Sequence, residues 1–400
     1  MSTAACIPAV FLIIALGGGS AAAEAPHAAN GAAPRDGLRV LELRELWHRG
    51  HEDDDIIFGS ISSVQTGPDG NIYVLDQQQS QVCVFDAAGE LLRILSREGE
   101  GPGETRQPEH MVFMDDGSLG LVQYINGRIV QIGLDGTPVA MLMPPGSGDQ
   151  GGGMASIRRA RSRAGVFVLN GARVAPTEDG MVRTQYLVRC DAAGKPLVEY
   201  LSLATASQLL RDGWIERDNY FPSHERWDID VRGRVLAAAA RNDYRISVYE
   251  PDGRLAFTFG REGRAWRRTA AQKQEIRDSL VVLRDGQRID IEVEVEDHDP
   301  MILELHATQA GEVLVLPSAG RHDQGPGIME TYDVFDAEGV FLRQDAVACA
   351  GDAEEDRLFF LGGDRVALVR GAVQARRNTF GGSRGDEPEI AVHDLKVFAY

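Results

Sequence analysis

Basic charge, cysteine and long apolar runs are all scarce in this chain. Its 41 lysines and arginines face 60 aspartates and glutamates, a formal net charge of −19. A phosphate backbone is held by clustered cations, so nucleic acid is excluded as a partner on charge. The same acid surplus keeps an exported protein soluble. Only four cysteines occur in 400 residues. The longest apolar run, Ile7 to Leu16, has ten residues and is too short to cross a bilayer as a helix. Small residues Ser20 to Ala23 follow it, the pattern of a signal peptide over 1–23, though no lysine or arginine precedes the run. Residues 24–37 are rich in Ala, Pro and Gly and read as a flexible linker. No later segment can span a membrane. These features predict export, to the periplasm or outside the cell.

What the chain does have is glycine, 45 residues of it, much of it evenly placed. The stretch 61–104 reads as four strands in a meander, turned at Asp69-Gly70 and at Asp86 to Gly89. Asp-Gly turns between alternating apolar runs mark hairpins, because glycine supplies the positive φ that tight reversals need. The first-hairpin glycine recurs at Gly70, Gly117, Gly165, Gly233, Gly311 and Gly363, and the second at Gly89, Gly136, Gly194, Gly253 and Gly339. Six first hairpins and five second hairpins leave the sixth copy one strand short. The orphan segment Leu38 to Trp47 is its expected donor, beside Lys396 to Tyr400. One meander cannot bury its own faces, so the copies must stack in a ring. The predicted fold is all-β, a six-bladed β-propeller over 38–400 made of four-stranded antiparallel blades. An N-terminal strand in the last blade closes it. The long gap between Gly233 and Gly311 predicts an inserted helix near 268–283. After it, 289–296 alternates apolar with acidic residues, as a half-exposed strand does. Cys83 and Cys190 fall in strands of non-adjacent blades, so three buried thiols without a disulfide are expected beyond Cys6.

The run FDAAGELLRILSREGEGPGE (85–104) resembles the signature of bacterial exported six-bladed β-propellers related to NHL-repeat proteins, in which an outer strand ends in a Gly-x-Gly-Pro-Gly-Glu exit. The stretch 243–263 and the helix-bearing insertion ending at Pro300 resemble it too. The resemblance implies a fold and no particular reaction.

In such a ring the short Asp-Gly turns gather on one face, and the second-to-third and blade-to-blade loops on the other. The latter are long here, at 170–185, 203–225, 260–300, 318–331 and 370–389, and a rigid scaffold under variable loops is how binding surfaces are built. Arginines concentrate in those loops. With two aromatic residues they give a candidate ligand-binding set of Arg97, Arg241, Tyr244, Arg261, Trp266 and Arg321. The leading expectation is an exported, monomeric binding module for a protein, peptide or glycan, with no recognisable catalytic set. The alternative is a metal-dependent lyase or hydrolase with His110, His224 and His298 around one ion at the channel mouth. A six-bladed relative, the lyase that forms peptide amides, holds such a metal. No cofactor is otherwise implied, beyond zinc at those histidines or calcium at the acidic strand 290–296. Propeller lactonases resemble a ring of Glu, Asn and Asp at the starts of the inner strands. The matching positions read here as Ser62, His110, Ser156, Glu225, Met301 and Arg357, which is not such a ring.

Overall fold

The computed structural model describes residues 25–400, apart from 52, 125–126, 145–153, 178–179, 207–212, 224, 281, 285–286 and 381–392. All eleven hairpin glycines read from the sequence have positive φ, from 63° at Gly363 to 94° at Gly253. The preceding aspartates lock the same turns. Asp86, Asp191 and Asp336 each accept two backbone N–H groups, two and four residues on.

Those turns fold the chain into six sheets around one axis. Blade one is Ile61–Thr66, Ile72–Asp76, Gln81–Phe85 and Leu91–Leu95. Blade two is Pro108–Phe113, Leu119–Gln123, Arg128–Ile132 and Pro138–Leu142. Blade three has the longest strands, Met154–Arg163, Val166–Thr177, Gly180–Cys190 and Pro196–Ala206. Blade four is Trp227–Ile229, Val235–Ala237, Arg245–Tyr249 and Leu255–Arg261. Blade five is Ile302–Ala307, Val313–Pro317, Ile328–Phe335 and Phe341–Ala348. Blade six is Arg357–Gly362, Arg365–Arg370 and Asp394–Ala399, completed by Arg44–Arg49 from the front of the chain. Six apolar clusters, one between each pair of neighbouring blades, close the circle; the one between blades six and one joins Trp47, Phe58 and Ile61 to Leu361 and Val397. Burying such a side chain fully contributes about 1.5–3 kcal/mol, so the blades are held by their neighbours and not by their own hydrogen bonds.

The N-terminal segment departs from its expected course. Closure was expected from the whole of Leu38 to Trp47, but that stretch divides at Leu43. Leu38–Glu42 instead adds to blade five as a fifth, parallel strand, from Leu38 beside Gln344 to Glu42 beside Ala348. Only Arg44–Arg49 pairs with the last blade. Part of the expected linker is ordered as well: His27–Asn30 is a fifth strand on blade four, parallel to Thr258–Arg261. The signal peptide expected over 1–23 lies outside the described residues.

The inserted helix is Ala270–Ser279, started by a reciprocal cap between Thr269 and Gln272. The strand expected beyond it is broken into Gln287–Ile289 and Val293–Glu294, the latter parallel to Trp214–Ile215. Its alternation survives in burial, with Asp290, Glu292 and Glu294 exposed. Two further helices, Ser318–His322 and Ala372–Phe380, went unforeseen. Cys83 and Cys190 are buried and Cys349 is half-buried; all three are free, and burial pushes the Cys83 and Cys190 thiols up to about 12. Among the described residues no helix is long and apolar enough to cross a membrane.

Candidate functional site

The innermost strands begin at the long-loop face and end in the short hairpins, so their first residues ring one mouth of the channel. Four of the six carry a bulge at that end, between Ile61 and Ser63, Pro108 and His110, Ile157 and Arg159, and Ile302 and Glu304. A bulge bends the strand and re-aims the side chain after it. Here Ser63, His110, Arg159 and Glu304 follow the bulges, and all four line one cavity.

Two cavities result. The upper one, of about 920 Å³, opens on the long-loop face and includes Ser62, Glu109, His110, Arg159, Glu304 and Arg357 in its wall. Glu275 and Leu280 of the insertion and Val373 and Arg376 of the last helix also line it, so both helices stand over the axis. The lower cavity, of about 1730 Å³, lies among the short hairpins at Gly67, Thr308 and Gly362. Gln65, Arg161, His306 and Phe360 line both and form the waist.

Charge in the upper cavity is largely paired. Arg159 meets Glu225, and Arg376 lies 3.8 Å from Glu109. Arg321 bridges Glu304 and Glu330, and Tyr332 Oη donates to Glu330 at 2.6 Å. His306 Nε2 lies 3.1 Å from Glu304. Burial works against a charged imidazole, yet Glu304 holds His306 above its ordinary value. Burial also raises Glu109, against the pull of Arg376 and Arg158.

The six residues expected to bind ligand do not share a site. Arg97 is exposed in the exit loop and pairs with Glu104. Arg241 is 6 % exposed; it pairs with Glu216 at 2.7 Å and donates to the His298 carbonyl. Tyr244 and Arg261 both donate to buried Asp333 at 2.6 Å, with the Arg261 guanidinium over the Tyr244 ring. Trp266 stacks on His322, centroids 5.3 Å apart, and its backbone N–H donates to Ser318 Oγ. Arg321 alone reaches the channel network. The expected cationic surface is thus mostly internal structure, in which Arg241 and Arg268 join on Glu216 and Arg268 continues to Asp299 and His322. That ladder fastens the insertion to the ring.

Of the expected metal ligands, His110 lines the upper cavity, and His298 lies in the insertion with its backbone bridged to Arg267. His224 lies outside the described residues. Among the described residues no three His, Cys, Asp or Glu side chains are grouped to hold a metal. The inner-strand register also needs correcting. Ser156 bonds to Ala172 and Met301 is core, whereas Arg159 and Glu304 occupy the ring. Both sit just past a bulge, and counting back from the hairpin glycine finds them: Ser63, His110 and Glu304 each stand seven residues before it and Arg159 six.

Comparison with known proteins bears on the scaffold. Residues 52–141, which include blades one and two, match the sequence profile of a family described as "6-bladed beta-propeller". No curated protein matches the chain. A protein of Bacteroides fragilis whose name marks it as exported is similar in structure at 12% identity and a TM-score of 0.44, over 94% of this chain and 98% of that one. Virginiamycin B lyase of Staphylococcus aureus aligns at 7% identity and a TM-score of 0.41, over 90% and 100%. The PQQ-bound aldose sugar dehydrogenase of Streptomyces coelicolor aligns at 14% and 0.41, over 90% and 98%. At these values none of the three bears on what this chain does. By its own six sheets and by the profile match, the chain is a six-bladed β-propeller.

Proposed function

We propose that this chain is an exported binding module, periplasmic or extracellular, which takes a peptide or glycan ligand into the upper mouth of its channel. The carrying observation is the upper cavity itself, about 920 Å³ in volume, where polar side chains of several inner strands converge beside apolar Leu358, Phe359 and Val373. A concave site with few, well-placed polar groups on a rigid frame is the usual form of a ligand pocket. The reading moves the expected site inward, from loop arginines tied up in ion pairs to the starts of the inner strands. Export rests on the apolar run 7–16 and the small residues after it.

Val373→Trp tests the location. Val373 stands on the last helix at the mouth, so an indole there narrows the mouth while every inner-strand residue is left unchanged. Calorimetry against panels of short peptides and oligosaccharides should find binders of the wild type that the variant loses at an unchanged melting temperature. Binders retained by the variant would place the site elsewhere.

A further inference from the structure

One arginine at the upper mouth makes no ion pair among the described residues. Arg357 opens the inner strand of blade six and lines the cavity. Its Nη1 donates to two backbone carbonyls, of Ala353 at 3.2 Å and Asp356 at 2.8 Å. The carboxylates nearby are engaged by other arginines, Glu304 and Glu330 by Arg321 and Glu109 by Arg376. Burial, and then the proximity of Arg321, hold Arg357 below the usual guanidinium range, against the pull of Glu304 and Glu330, both of which Arg321 engages directly.

Two further donors belong to the same cavity. Thr66 Oγ1 donates to the Leu361 carbonyl at 2.7 Å, which sets the inner strands of blades one and six side by side. Both run from the long-loop face to the short hairpins, and four residues upstream of that contact stand Ser62 and Arg357. Ser62 Oγ is buried with no hydrogen-bond partner among the described residues, and so is the amide nitrogen of Gln77, a residue 2% exposed. Ser62 and Gln77 both line the upper cavity. Buried polar atoms are almost always satisfied, so two orphans on one cavity wall call for a ligand or water.

We infer that this wall is a carboxylate subsite, in which Arg357 receives an acidic group of the ligand with Ser62 and Gln77 as flanking donors. The inference rests on the channel-mouth reading above. A single guanidinium without an ion pair of its own matches one negative charge. A phosphate dianion would add a second charge facing Glu109, Glu225 and Glu275 on the other walls, and like charges across a site are costly. Charge-assisted bonds to a planar carboxylate are the strong interactions of a guanidinium. Two chemical carriers supply such a carboxylate, a peptide C-terminus and a uronic acid residue of a glycan.

Matched probes separate them: a tripeptide with a free C-terminus against its amide, and trigalacturonate against its methyl ester. Calorimetry on the wild type should show at least one acid bound about tenfold or more tighter than its neutral mate. Binding of only one acid identifies the carrier, and binding of both supports the shared chemistry. Arg357→Gln should bring the acid down to its mate in a protein that still unfolds cooperatively, at a somewhat lower melting temperature because the bonds to the Ala353 and Asp356 carbonyls are lost. Ser62→Ala should weaken the acid a few-fold without touching charge. Equal binding of acid and mate, a preference that survives Arg357→Gln, or no binding by either acid would each overturn the subsite. The channel reading fails separately: it stands if the neutral mates bind and Val373→Trp abolishes them, and falls with the subsite if Val373→Trp leaves binding intact.

Discussion

Asp333 is fully buried in blade five, and its carboxylate receives Tyr244 Oη, Arg261 Nε and Gln344 Nε2. Breaking a buried pair by removing one partner leaves the other charge uncompensated, at a cost of about 3–5 kcal/mol. Asp333→Ala should therefore lower the denaturation midpoint sharply, whereas Arg97→Ala, on a side chain 81% exposed, should leave it unmoved. Comparable shifts from both in a urea titration would contradict the assignment of Arg261 to structure. Acid should act on the same class of contact. Glu216 and Asp299 are half-buried, which works to raise them, but hydrogen bonds from Arg268 and Arg241 to the first, and from His322 and Arg268 to the second, hold both below their ordinary values of 4.5 and 3.8. Their contribution is complete above those values and is lost as pH falls through the lower folded ones. Hydrogen-exchange protection factors over the insertion 265–300 should thus fall below about pH 4, ahead of those in blades one and two. These contacts were invisible in the sequence because each arginine's partner lies far along the chain, 25 residues from Arg241 and 72 from Arg261.

Elements were legible wherever a turn announced them. All eleven hairpin glycines stand where the Asp-Gly and related signals placed them, because positive φ is a local demand of the backbone. Parallel strand addition has no such signal: nothing between residues 25 and 43 marks the edge on which a segment will lie, and so the linker and the closing strand were read too simply. The inner-strand register failed for a related reason, since one extra residue in a strand exchanges its two faces. Asn30 fixes this N-terminal strap, residues 25–43, in place. Its side-chain amide donates to the carbonyls of Gly260 in blade four and Gly339 in blade five, and its oxygen accepts from Phe341 N–H. Asn30→Ala leaves those groups unpaired and should cost about 1–3 kcal/mol. Deleting residues 25–43 should lower the melting temperature yet leave a folded ring, because Arg44–Arg49 still completes blade six. Extending the deletion through Arg49 should give insoluble protein. A soluble product with an unaltered melting curve would show that closure does not depend on this strand.

At the scale of the whole ring, the strap divides the circumference into a covered half and an open one. Phe259 and Val347, on the outer strands of blades four and five beneath it, are each 1% exposed. On the uncovered outer strands of blades one and two, Leu92, Ile94, Val139 and Met141 are 48–52% exposed. The blade-two strand is the more vulnerable, because residues 137–145 contain no charged side chain. Unpaired, uncharged, apolar edges template strand addition between molecules. At neutral pH a net charge of −19 opposes that encounter, and the repulsion vanishes near the isoelectric point of about 4.9. The chain should therefore scatter light as a monomer at pH 7 and associate reversibly as pH approaches 5. Charge alone and edge geometry give different outcomes for two variants of equal net charge. Val139→Lys with Met141→Lys should remain monodisperse through that range, since lysines on an edge block pairing. Ala87→Lys with Ala88→Lys, in an exposed turn of blade one, should associate as the wild type does once the isoelectric shift is allowed for. If both variants stay apart equally, net charge is the whole explanation and the open edge plays no part.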